Sequence, residues 1–156
     1  MTITIRLANA DDIPLLVDGN QRIAAETEDK NLDGETLSAG LAAMFADPSK
    51  GRYYIAEVDG QPCGQIMTTY EWSDWRNGHL WWIQSVYVWA EFRQQGVFRA
   101  LYEHLARLAQ QAEGVIGIRL YVEKDNKRAQ EVYHRMGMKS SGYLVLEDMF
   151  HGGSGD

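Results

Sequence analysis

This chain has little with which to staple, anchor or positively charge itself. Its 156 residues include one cysteine, Cys63, so no internal disulfide can form, and the four histidines are too widely spaced to join it in a metal-ligand pattern. Only three prolines interrupt the backbone. No apolar run approaches the ~20 residues that a bilayer-spanning helix needs. The opening Met1-Thr2-Ile3-Thr4-Ile5-Arg6 alternates like a strand and does not resemble a signal peptide. Basic residues are the scarcer charge: 15 Lys and Arg against 22 Asp and Glu give a net charge of −7, which argues against a nucleic-acid binder. The expectations are no metal, no membrane, no nucleic acid and, by default, a cytoplasmic location. The acid excess is compatible with a cationic partner.

What is present suits one soluble domain. Hydrophobic content of 45% and charged content of 24% are ordinary for a globular chain, and the length allows a real core. One domain is expected over 1–150, with a flexible tail at 151–156. Ile3 to Leu7 reads as a strand. A helix starts at Asp11 or Asp12 through Pro14 and carries Leu15, Leu16 and Ile23 on one side. Asp33 caps a second helix through Leu37, Leu41, Met44 and Phe45, closed by Asp47-Pro48. Tyr53–Val58 and Gln61–Glu71 form a hairpin across Asp59-Gly60, and Leu80–Trp89 is a central strand. A third helix buries Leu101, Leu105, Leu108 and Ala112 and stops at Gly114. A strand from Val115, a fourth helix after Asn126 and a last strand within Ser141–Phe150 complete the order β-α-α-β-β-β-α-β-α-β, a mixed α/β (α+β) chain with a short C-terminal end.

The most informative stretch runs from Tyr87 to Leu101. An apolar, β-branched run stops at a polar turn with one glycine, and an amphipathic helix begins at once. Strand, glycine turn and helix N-terminus together build an anion site, because a helix's first N–H groups lack intrahelical acceptors. Arg93 and Arg99 flank the turn, so a phosphorylated ligand is indicated. A second segment follows at Glu123–Met138. Asn126, Ala129 and Tyr133, spaced by three and four residues, share one helix face, and Gly137 ends that helix.

Arg93-x-x-Gly96-x-Phe98 resembles the acetyl-CoA signature of the GCN5-related N-acetyltransferases, Arg/Gln-x-x-Gly-x-Gly/Ala. Phe98 stands where a small residue is usual. The second segment is similar to that family's other CoA-binding region. Specific matching covers about Leu80 to Gly142, and the element order agrees over nearly the whole chain. The resemblance implies the acetyltransferase (GNAT) fold, a mostly antiparallel sheet splayed at its middle. It also implies that acetyl-CoA is held by Arg93, Gln94, Gln95, Gly96, Val97, Phe98 and Arg99 at its pyrophosphate. Main chain at Val86, Tyr87 and Val88 would meet its pantetheine, and Asn126, Ala129 and Tyr133 would complete its site. The short end of the sheet leaves an edge that a second copy can pair with, so a homodimer is expected.

The acceptor side rests on weaker patterns. All five tryptophans lie between Glu71 and Ala90, which reads either as an aromatic core or as the wall of an acceptor pocket. Glu71, Trp72, Asp74 and His79 sit around that loop, Gln84 lies on the central strand, and Glu26, Glu28 and Asp29 end the first helix. An amine must be neutral to attack a thioester. Glu71, beside Trp72 and Trp75 that would draw it away from water, is the leading candidate to take the proton. Its rivals are His79 and a water held by Gln84. Tyr133, a phenol donor, would protonate the departing thiolate. Cys63 as a covalent nucleophile is a rival mechanism without a neighbouring activator in sequence. Three classes stay open: an acetyl-CoA-dependent N-acetyltransferase of a small-molecule or peptide amine, a non-catalytic acyl-CoA-binding module, and a phosphate binder on another α/β fold.

Overall fold

The computed structural model describes residues 1–151, and they divide into two compact units, Met1–Leu120 and the stretch from Tyr121 onward. Apart from His151, the tail expected over 151–156 lies outside the described residues.

In the first unit, five strands lie side by side in chain order: β1 (Ile3–Leu7), β2 (Arg52–Val58), β3 (Gln61–Ser73), β4 (Gly78–Val88) and β5 (Val115–Leu120). The first four pair antiparallel, and β5 runs parallel to β4. Parallel neighbours need a crossover, and α3 (Val97–Gln111) supplies it. Two further helices, α1 (Ile13–Glu28) and α2 (Gly34–Ala46), join β1 to β2.

The sheet is covered on both faces because its central strands carry apolar residues at consecutive positions. On β2, Tyr53 and Ile55 meet Leu16, Leu41 and Met44 of α1 and α2, while Tyr54, Ala56 and Val58 meet Val97, Leu101 and Leu105 of α3. Residues of alternate parity point to opposite faces, so one strand serves both cores. Asp33 caps α2 as expected, its carboxylate accepting the Thr36 N–H at 3.0 Å. Pro14 sits in the first turn of α1, where its missing N–H costs nothing.

Two irregularities matter for function. Met67 pairs with Ser85 and Thr68 with Ile83, so Gln84 is an extra residue bulged out of β4. The β4–β5 ladder then ends at Ile83↔Leu120, although β4 continues to Val88. Among the described residues, β5 therefore leaves Gln84–Val88 without a ladder partner on its side. This is the splay anticipated at the middle of the sheet.

The second unit contains α4 (Lys127–Arg135). Asn126 caps it by accepting the Ala129 N–H at 3.1 Å. At its other end, the N–H groups of Gly137 and Met138 donate to the carbonyls of His134 and Tyr133, with Gly137 at φ +99°. That is a Schellman closure, and the positive φ is why glycine stands there. The last strand expected within Ser141–Phe150 does not form. The segment is irregular and exposes Tyr143, Leu144, Val145, Leu146 and Phe150. β-propensity alone does not make a strand, which exists only by pairing.

One core residue is costly. Gln65 is fully buried on β3, and neither its Oε1 nor its Nε2 has a hydrogen-bond partner. Gly19 of α1 lies against it so closely that a Cβ there would stand 2.3 Å from Oε1. Unsatisfied buried polar atoms cost roughly 1–3 kcal/mol each. Gln65→Met keeps the shape and removes both atoms. It is expected to raise unfolding stability by roughly 1–3 kcal/mol, read as a higher urea midpoint at unchanged m-value.

Candidate functional site

The strand-to-helix turn has the geometry its sequence implies. β4 ends at Val88, a short 3-10 turn covers Ala90–Phe92, and α3 begins after Gly96. Gln94 and Gly96 both have left-handed backbone, φ +63° and +84°. No side chain caps α3, and among the described residues the N–H groups of Gly96, Val97 and Arg99 donate to no backbone or side-chain acceptor. A Cβ on Gly96 would meet nothing within 4 Å, so the turn is open above its glycine. Free, convergent N–H groups at the positive end of a 15-residue helix suit a phosphate. Val97 points the other way and is buried in the core beneath α3.

The two arginines differ. Arg99 is exposed and paired to Glu103 of the same helix at 2.7 Å. Arg93 is tied back: its Nε donates to the Val88 carbonyl at 2.9 Å and one Nη to Glu26 of α1 at 2.6 Å. Its guanidinium also lies 5.4 Å from the centre of the Tyr87 ring. The Tyr87 hydroxyl donates to the other Glu26 oxygen at 2.5 Å. Glu26 is held below the usual carboxylate range, first by the Tyr87 hydroxyl and then by Arg93. Burial and the Glu26 carboxylate push Tyr87 up. Nearby, the Trp89 indole donates to Asp18 at 3.2 Å, and Asp18 also pairs with Arg22 at 2.8 Å. α1 is thus bound at Asp18 and Glu26 to the end of β4 and the turn that follows it.

A second polar group lies further back on the sheet. Glu71 of β3 accepts the Trp82 indole N–H at 2.7 Å and pairs with Arg119 of β5 at 3.1 Å. The surroundings expected for Glu71 need correcting: Trp72 and Trp75 are 55% and 90% exposed, and neither covers the carboxylate. The residue after Glu71 on a strand points to the opposite face, and Trp75 lies in the turn before β4. Trp72 instead stacks edge-on against His79, with ring centres 4.9 Å apart. Gln84, on its bulge, donates to the Thr69 hydroxyl at 2.8 Å. Glu28 is exposed at the end of α1, and among the described residues its carboxylate has no hydrogen bond or ion pair. Cys63 is buried in the core against α3, and burial raises its thiol pKa, so it has the surroundings of a packing residue.

In the second unit, Asn126, Ala129 and Tyr133 occupy one side of α4, the first two joined by the cap described above. Sequence reasoning placed the Tyr87 main chain and passed over its phenol. It gives no sign that Arg119 and Trp82 meet Glu71, and it offers Glu26 only as one of three carboxylates at the end of the first helix. No local signal exists for these contacts, which span 61, 48 and 11 residues. Among the described residues there is no cluster of three or more potential metal ligands, and no helix is long and apolar enough to cross a membrane.

Comparison with known proteins gives consistent matches. The family described as "Acetyltransferase (GNAT) family" matches residues 19–138. A crystal structure of a possible acetyltransferase from Clostridium difficile 630 is similar over 97% of this chain and 100% of its own, at 41% identity and a TM-score of 0.90. An uncharacterized N-acetyltransferase of Methanocaldococcus jannaschii is 34% identical over 92 residues, covering 59% of this chain and 55% of its own length. A thialysine N-epsilon-acetyltransferase of Caenorhabditis elegans is 30% identical over 97 residues, covering 60% of this chain and 59% of its own length. The alignments thus span little more than half the length of these curated relatives.

Proposed function

The chain belongs to the acetyltransferase (GNAT) family, and from that premise we propose that it moves an acetyl group from acetyl-CoA directly to a primary amine of a small molecule or peptide. The observation that carries this reading is the turn at Gln94–Arg99, with left-handed Gly96 and, among the described residues, no acceptor for the N–H groups of Gly96, Val97 and Arg99. A diphosphate needs such donors and such clearance. The unpaired edge of β4 from Gln84 to Val88 supports the same reading. It offers main-chain groups at Val86 and Val88 to the amides of pantetheine, and a backbone N–H to a developing oxyanion, while the main chain of Tyr87, also expected there, pairs with β3.

Acetyl-CoA supplies an activated thioester. The chain's residues supply position and proton traffic. Tyr133 donates to the thiolate as it leaves, and Asn126 with Ala129 leaves room for the cofactor on α4. On the acceptor side, Glu71 attracts the ammonium and takes its proton directly or through a water, with Gln84 and Glu28 shaping the approach; Trp72 and His79, expected there from the sequence, pair with each other on the opposite face of the sheet. Arg119 and Trp82 hold the Glu71 carboxylate in one place. Transfer is direct, because Cys63 is buried with its thiol pKa raised.

The deciding experiment is a panel of amines scored by thiol release from acetyl-CoA. Release with at least one amine supports the proposal. Retention on immobilised CoA with no release from any amine favours the non-catalytic binding module instead. Within this scheme, Glu71→Gln is expected to lower kcat/KM for the amine roughly 10²-fold, the lower end of what a positioned proton acceptor contributes. The KM for acetyl-CoA should stay put. An unmoved rate would leave Glu71 as a strut for Arg119 only.

A further inference from the structure

Arg93 sits at the start of the cofactor turn, yet its guanidinium is engaged elsewhere. One face is fixed on the Val88 carbonyl and one Nη on Glu26, at 2.9 and 2.6 Å. Both partners of the ion pair are partly open to water, with 44% and 41% of their side chains exposed. Surface pairs of this kind are weak, and a guanidinium binds a phosphate at least as well as a carboxylate, with matching fork geometry. Glu26 has a second partner that does not depend on Arg93, the Tyr87 hydroxyl. Losing the arginine would therefore leave its carboxylate hydrogen-bonded and in place. The nearest other cation on α1, Arg22, is already paired with Asp18. The last turn of α1 itself holds no basic residue, at the helix end that disfavours added negative charge.

We propose that Glu26 and the diphosphate of CoA compete for Arg93, so that filling the turn frees the Glu26 carboxylate at the end of α1. This rests on the acetyl-CoA reading above. Glu26 is then a positioning residue that links cofactor occupancy to the helix at whose C-terminal end it stands. The link is reciprocal by thermodynamic necessity. A cation that pairs with Glu26 releases Arg93 to the turn and tightens CoA by the same factor that CoA tightens the cation. Competition has a sign that bracing does not. If Glu26 only held Arg93 in a useful pose, removing its charge would weaken CoA.

The test is calorimetric titration of the whole chain with CoA, for wild type, Glu26→Gln, Arg93→Gln and the double variant. Glu91→Gln is the control: that carboxylate lies two residues from Arg93 and, among the described residues, has no ion pair. Glu26→Gln is expected to tighten CoA about two- to fivefold, the span a surface ion pair can withhold. The gain should vanish when Arg93 is already Gln, and Glu91→Gln should leave affinity as it was. Unchanged or weaker binding in Glu26→Gln overturns the proposal. So does an equal gain in Glu91→Gln, which would mark a general charge effect, or a gain that persists without Arg93. Wild type failing to bind CoA at all would overturn both this and the function it rests on. Thermal unfolding of each variant confirms that the comparison is between folded proteins.

Discussion

Tyr133→Phe is expected to lower kcat by roughly 10²–10⁴-fold while leaving the KM for acetyl-CoA nearly unchanged. The phenol keeps its ring, its place on α4 and its packing in the substitution, and only the donor is lost. A group that protonates the leaving thiolate acts after the cofactor is bound, so its removal belongs in turnover and not in affinity. α4 itself should be unaffected. The Asn126 cap and the Schellman closure at Gly137 set its ends, and neither involves the phenol hydroxyl. Steady-state kinetics with the best amine from the panel gives the answer. Wild-type turnover in a folded variant would make Tyr133 a packing residue.

Gly96→Val is expected to weaken CoA by about 100-fold or more, and here the loss is in binding. A Cβ there would meet nothing within 4 Å beyond its chain neighbours, and Val97 and Leu101 pack on the other side, so the core is not the part disturbed. Two other penalties act. At φ +84° a residue with a Cβ costs about 1–2 kcal/mol, and β-branching adds to it. The branched group also fills the clearance over the amides, and each charge-assisted hydrogen bond it blocks is worth about 1.5–3 kcal/mol. If the turn relaxes out of the left-handed region to relieve the strain, the N–H groups of Val97 and Arg99 lose their common aim, and affinity falls by the other route. Gly96→Ala separates the two, since it keeps most of the strain and little of the bulk. Calorimetry on folded variants decides, and undiminished affinity in Gly96→Val would remove this turn from the cofactor site.

The parts of this molecule legible in its sequence are those set by neighbours along the chain. Asp33 and Asn126 announce their helices because a cap bonds three residues ahead. Gly96 and Gly137 mark positive φ for the same local reason. The strands through β5 follow from alternation and from the Asp59-Gly60 turn. What fails is everything decided across the sheet. The bulge at Gln84 depends on how β3 and β4 slide past each other, and no residue between Met67 and Ser85 advertises it. The meeting of Glu26 with Tyr87 and Arg93 requires α1 to lie over the end of β4. Glu71 finds Trp82 and Arg119 only once three strands are in register. Composition misled in two places. Trp75, read as pocket wall or core, projects from a turn, and Ser141–Phe150 has the residues of a strand without a ladder to join.

Strand order equal to chain order also governs how cheaply the sheet assembles. β2, β3 and β4 are closed by connections of two residues, Asp59-Gly60, and four residues, Asp74–Asn77. Loop-closure entropy rises with the length enclosed, so this three-stranded meander is the least expensive part of the first unit to bring together. β1 must wait on a span holding α1 and α2, and β5 on one holding α3. The pairing of β3 with β4 that seats Glu71 beside Trp82 therefore belongs to the piece with the lowest contact order. The Glu26–Arg93 link, by contrast, spans 67 residues and depends on a long closure. The Glu71–Trp82 contact is local in the chain, and the contact that ties the turn before α3 to α1 is not.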